Sequence, residues 1–95
     1  MLEVHDFTRH ARERATARAF PPLVAELILD YGESRDAGDG ARTYALTRAS
    51  MRTLRHRAGP TLVKALEPYR SRNAYVIAAA GRVITCAYAP KPLFR

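Results

Sequence analysis

Ala74-Tyr75-Val76-Ile77-Ala78-Ala79-Ala80-Gly81-Arg82-Val83-Ile84-Thr85-Cys86-Ala87-Tyr88 decides the fold class of this chain. Two apolar, β-prone runs, 74–79 and 83–88, flank the dipeptide Ala80-Gly81, which predicts a tight hairpin. Their nearly continuous apolar character predicts central strands with both faces covered. Pro90 and Pro92 then end pairing.

Working back from that hairpin, Gly59-Pro60 divides a helical insert. Its first piece, capped by Thr47, runs to about Ala58, with Met51 and Leu54 inward and Arg48, Arg52 and Arg55 outward. The second runs from Thr61 to Glu67 and stops at Pro68. Upstream, Asp36-Ala37-Gly38-Asp39-Gly40 is a strong turn signal, and Thr43–Thr47 follows it as a strand, making an earlier hairpin across 31–47. Asp6 or Thr8 can cap a first helix through about Ala19, with Ala11, Ala15 and Ala19 as a narrow packing stripe. Pro21-Pro22 starts a second helix, with Leu23, Val24, Leu27 and Ile28 as its core stripe and Gly32 at its end. The expected architecture is a single α+β domain over 1–95. Two N-terminal helices pack on an antiparallel sheet of about four strands, with a helical insert between two hairpins.

Ninety-five residues carry 16 Lys+Arg and 9 Asp+Glu, a formal charge of +7. The charge is uneven. Residues 1–40 hold five basic residues and eight acids, a net of −3, whereas residues 41–72 hold eight basic residues and one acid, Glu67, a net of +7. Residues 73–95 add Arg82, Lys91 and Arg95. Fourteen of the basic residues are Arg, whose planar fork suits phosphate. This asymmetry fits a polyanion on one side of the molecule. It also fits a solvated helix face or a surface that docks on an acidic partner protein.

The single Cys86 excludes an intrachain disulfide and the usual cysteine-based zinc sites, and is compatible with a reducing cytosol. Flanked by apolar residues, it reads as buried and inert. No apolar run is long enough for a membrane span, and the N-terminus does not read as a secretory signal, so a cytoplasmic protein is expected. His5 and His10 share no helical stripe, so no metal pair is expected. Asp36 and Asp39 do not match a calcium loop, and His56, inside Arg55-His56-Arg57, reads as solvated. No cofactor motif is present.

The chemistry-bearing pattern lies near the start. His10, Arg14 and Arg18 recur every four residues, which on a helix spreads them over about 80°. An imidazole can move protons near neutral pH, and guanidiniums can hold a phosphodiester and offset its growing charge. The same three residues also make an ordinary polar helix face. Thr85 can aim a hydroxyl at a substrate on the sheet or simply face a neighbouring strand. Tyr88 can stack on a base or join the core.

Phe7-Thr8-Arg9-His10-Ala11-Arg12-Glu13-Arg14, with Val83-Ile84-Thr85 after the glycine hairpin, resembles a family of small bacterial domains of unknown function. Its opening reads F-T-x-H-A-x-x-R and its closing strand v-I-T-v-y. That family is grouped with RelE/ParE-type toxins, within the fold shared by barnase-like and colicin-type ribonucleases. The resemblance implies a metal-independent endoribonuclease, without cofactor, acting by 2′-hydroxyl attack on the adjacent phosphorus. It implies His10 as general acid or base, Arg14 and Arg18 on the phosphoryl oxygens, and Thr85 as a positioning hydroxyl. Beside these, RNA would be held by Arg48, Arg52, Arg55, Arg82, Lys91 and Tyr88. An acidic antitoxin and a second copy of the chain are the expected protein partners. The alternative is a non-catalytic basic module that binds nucleic acid or an acidic partner.

Overall fold

The computed structural model describes residues 6–94; His5 and Arg95 lie outside them. The element order is β1 (Asp6–Phe7), α1 (Arg9–Ala17), α2 (Pro22–Tyr31), β2 (Glu33–Gly38), β3 (Ala41–Ala45), α3 (Arg48–Ala58), α4 (Pro60–Ser71), β4 (Ala74–Ala79) and β5 (Arg82–Tyr88). The α+β class, the two leading helices and the helical insert between two hairpins all hold. The sheet differs from expectation: among the described residues it has five strands in the order β1-β5-β4-β3-β2, and β1 runs parallel to β5. Two residues show no alternation, so β1 has no signature in the sequence.

The closing hairpin forms as its sequence dictates. Ala80 and Gly81 both take left-handed φ, 51° and 77°, the geometry of a two-residue turn whose twist matches the strands. Asp39 and Gly40 repeat it at 52° and 78°. The first turn is therefore only the last two residues of the Asp36–Gly40 signal. Asp36 and Gly38 belong to β2, with a bulge between them, and β3 begins at Ala41.

All four helices contribute to one core against one face of the sheet. Phe20, Ile28, Leu54, Leu66, Val76, Val83 and Cys86 are its largest sealed side chains. Among the described residues no helix packs on the opposite face, where Thr43, Tyr75, Ile77 and Thr85 are half-buried. The expectation of strands covered on both faces is thereby corrected. β4 is central, but its burial alternates along the strand, so only one face is sealed. Alanine on both faces hides this in the sequence.

Three helix details also differ. Pro68 does not end α4; the helix continues to Ser71. Pro68 and Lys64, whose carbonyl lacks a donor there, are both exposed, while Leu66 and Tyr69 anchor the helix to the core. Ala19 leaves α1 with φ 50°, and Phe20 takes the next place in the core. Leu23 is 57% exposed, and Ala25 joins Val24, Leu27 and Ile28 inside. Gly32 does close α2: a Cβ there would lie 2.5 Å from the Ile28 carbonyl oxygen and 2.9 Å from that of Ala45. Among the described residues, no helix is long and apolar enough to cross a membrane, and no group of three or more His, Cys, Asp or Glu is placed to hold a metal.

Candidate nucleic-acid interface

Thr8 caps α1, its hydroxyl accepting from the Ala11 N–H at 3.1 Å, and its own N–H goes to the Val83 carbonyl. Ala11 and Ala15 pack inward, which turns His10 and Arg14 to solvent, one helical turn apart. Arg18, just past the helix, is differently employed. Its Nη1 donates to the Cys86 carbonyl at 2.7 Å, a charge-assisted bond to β5 beyond the two residues that β1 covers. Thr85 pairs with Ile77, on the face opposite the Val76–Cys86 pair that lies in the core with α1. The structure thus keeps His10 and Arg14 together, ties Arg18 into the fold, and separates Thr85 from all three.

Tyr88 is also committed. The Arg72 guanidinium lies 3.8 Å from its ring centroid and the Phe20 ring 5.3 Å away. Burial raises its pKa, with Arg72 acting in the opposite direction. Cys86 is sealed, and burial pushes its thiol up to about 11 against a smaller lowering by Arg18. It is inert as a nucleophile at neutral pH.

Basic side chains gather instead on the helical pair. Met51 and Leu54 are buried, so Arg48, Arg52 and Arg55 face solvent within about 60° of arc. α3 contains no acid, and among the described residues none of the three makes an ion pair. Arg57 and His56 extend the exposed basic surface at the C-terminal end of the helix. Arg82 lies elsewhere, beside the hairpin turn at the far end of β4 and β5. Lys91 is exposed in the tail.

No family model, curated protein or solved structure matches the chain.

The N-terminus of α3 opens on a cleft of about 670 Å³. Arg48, Ala49 and Arg52 line it from α3, Arg70 from the end of α4, Glu33 from β2, and Phe94 from the tail. The Arg35 guanidinium sits 4.6 Å from the Phe94 ring centroid, fixing the tail against the sheet edge. Thr47 and Ser50 form a reciprocal capping box, each side chain accepting from the other's N–H at 3.1 Å. Met51 N–H goes to the Thr47 carbonyl, so Arg48 and Ala49 carry the remaining first-turn donors. Arg48 also sets a cation at the positive end of a helix with no acid in its first turn, an arrangement unfavourable by about 0.3–1 kcal/mol without an anion.

Arg70 is one of the basic residues of 41–72, but nothing in the sequence assigned it a role of its own. Its Nη1 donates to Glu67 Oε1 at 3.1 Å, while its Nε is sealed from solvent without a partner among the described residues. A desolvated, unbonded N–H costs about 1–3 kcal/mol. Pro68, read as a helix stop, hid its place: with the helix carried past that residue to Ser71, Glu67 and Arg70 share a turn and Arg70 lines the same cleft as the start of α3.

Proposed function

We propose that this protein is a nucleic-acid-binding module, with RNA as its ligand, and that the exposed arginine face of α3 is its contact surface. The observation that carries the reading is the set Arg48, Arg52 and Arg55: one face, solvent-exposed, without acidic partners among the described residues, on a helix that has no acid. Guanidiniums in this state exchange condensed counterions for phosphates, so binding must weaken steeply with salt.

Fluorescence anisotropy with a single-stranded RNA across a salt series tests it. Each phosphate neutralised contributes about −0.7 to the slope of log affinity against log salt. Replacing Arg48, Arg52 and Arg55 together with Gln should flatten that slope by about 2 and weaken binding. A salt-independent affinity, or a triple variant that binds like wild type, refutes the reading.

A second reading follows from the resemblance to toxin-like ribonucleases, and the exposure of His10 and Arg14 one turn apart favours it. In it His10 moves the proton of the attacking 2′-hydroxyl and Arg14 holds the phosphate. An acidic antitoxin would then compete with RNA for the α3 face. Cleavage of RNA in EDTA that His10→Ala abolishes supports this reading; intact RNA with wild-type protein removes it.

A further inference from the structure

We propose that the cleft at the start of α3 is a site for a phosphomonoester dianion, the terminal phosphate of a nucleic-acid strand lying along the arginine face. This rests on the nucleic-acid reading above and specifies where a strand ends.

The first argument is charge. Arg48, Arg52 and Arg70 line the cleft against one acid, Glu33, leaving a lining of formal charge +2. An internal phosphodiester carries one negative charge, whereas a phosphomonoester carries about −1.5 to −2 at neutral pH and three terminal oxygens. The lining matches the second. The third arginine matters here, because Arg48 and Arg52 belong to the open face of α3, and Arg70 comes from a different helix and closes the cluster only at this end.

The second argument is donor geometry. The capping box uses Thr47 and Ser50 on each other, so neither hydroxyl competes for the ligand. The open backbone donors are those of Arg48 and Ala49, and both residues line the cleft. The nearby polar groups are occupied: the Ser71 hydroxyl donates to the Glu67 carbonyl, and the Asn73 amide donates to the Ala89 carbonyl. What remains for an anion is guanidinium and helix N–H.

The third argument is the state of Arg70. With its Nε enclosed and unpartnered and only its Nη1 bonded, at the surface, to Glu67, this side chain gains by turning its fork into the cleft. A dianion there supplies the acceptors that the free protein lacks, and Glu67 is half exposed and readily hydrated in exchange.

The test compares internally labelled RNA strands of one sequence ending in a 5′-phosphate, a 3′-phosphate or hydroxyls only, by anisotropy at matched salt. One phosphorylated end should bind about tenfold tighter than the hydroxyl-ended strand. Arg70→Gln should remove that preference, bringing the phosphorylated strand down to the affinity of the hydroxyl-ended strand measured on the same variant. Arg48→Gln, at an exposed position that does not support the core, should remove it too, with some loss of affinity for every strand. Equal binding of all three strands, or a preference that survives both substitutions, overturns the end-phosphate site and leaves nucleic-acid binding standing. Failure of every strand to bind overturns both.

Discussion

Replacing Arg18 with Met should destabilise the protein without touching nucleic-acid affinity. Met keeps much of the alkyl stem but removes the donor that Nη1 offers the Cys86 carbonyl at 2.7 Å. Cys86 is fully buried, so its carbonyl does not simply recover a water. A hydrogen bond from a charged donor contributes about 1.5–3 kcal/mol. Arg18 is partly exposed, which places the expected loss near the middle, roughly 2 kcal/mol. For a domain of this size that corresponds to a fall in Tm of about 8–16 °C. Thermal melts, with urea denaturation to check that the midpoint moves while the slope does not, measure it. Arg14→Met is the control, because Arg14 is exposed and makes no contact of this kind; its change should stay within about 0.5 kcal/mol. If Arg18→Met melts with wild type, or Arg14→Met falls as far, the assignment of Arg18 to the fold is wrong and its place in a phosphate-handling stripe returns.

Three further outcomes follow from the packing. Gly32→Ala should cost about 1–3 kcal/mol, because the new Cβ meets two backbone oxygens that cannot move independently; an unchanged melting temperature would contradict the close approach of α2 to β3. Pro68→Ala should stabilise by about 2–3 kcal/mol, the helix-interior penalty of proline less its restriction of the unfolded chain, and a loss of stability would show that the ring packs usefully. The Cys86 thiol should resist a disulfide reagent at pH 8 until the protein unfolds. Its folded pKa of about 11 exceeds the ordinary 9.0, so its contribution to stability is whole below about pH 9 and is lost as pH rises toward 11. Rapid labelling of the native protein would refute the sealed position.

The hairpins were readable because local chemistry determines them. Ala80-Gly81 and Asp39-Gly40 place residues that tolerate left-handed φ where a two-residue turn demands it, and β-prone residues lead out of each. Thr47 was readable as a cap for the same reason, and Thr8 as one of two candidates: the bond each makes lies within three residues, while Asp6 belongs to β1. The inward Met51 and Leu54, and therefore the outward Arg48, Arg52 and Arg55, followed from helical period alone. These are short-range facts, and the arginine face is among them.

What needed the tertiary structure is what depends on residues far apart in the chain. Arg18 and Cys86 are 68 positions apart, and only packing of α1 on β5 turns a member of a regular stripe into a bond that holds a strand. Thr85 and His10 belong to one family-like pattern, yet strand alternation places Thr85 on the face away from α1. The parallel β1 exists because β5 offers it an edge, not because two residues favour a strand. Arg70 joins Arg48 and Arg52 because α4 folds back along α3 from Gly59, whose φ of 89° permits the reversal. Sequence alone thus determined which residues carry charge and which way each helix presents them. The three-dimensional chain decided which of those charges are already spent on the fold and which remain open to a ligand.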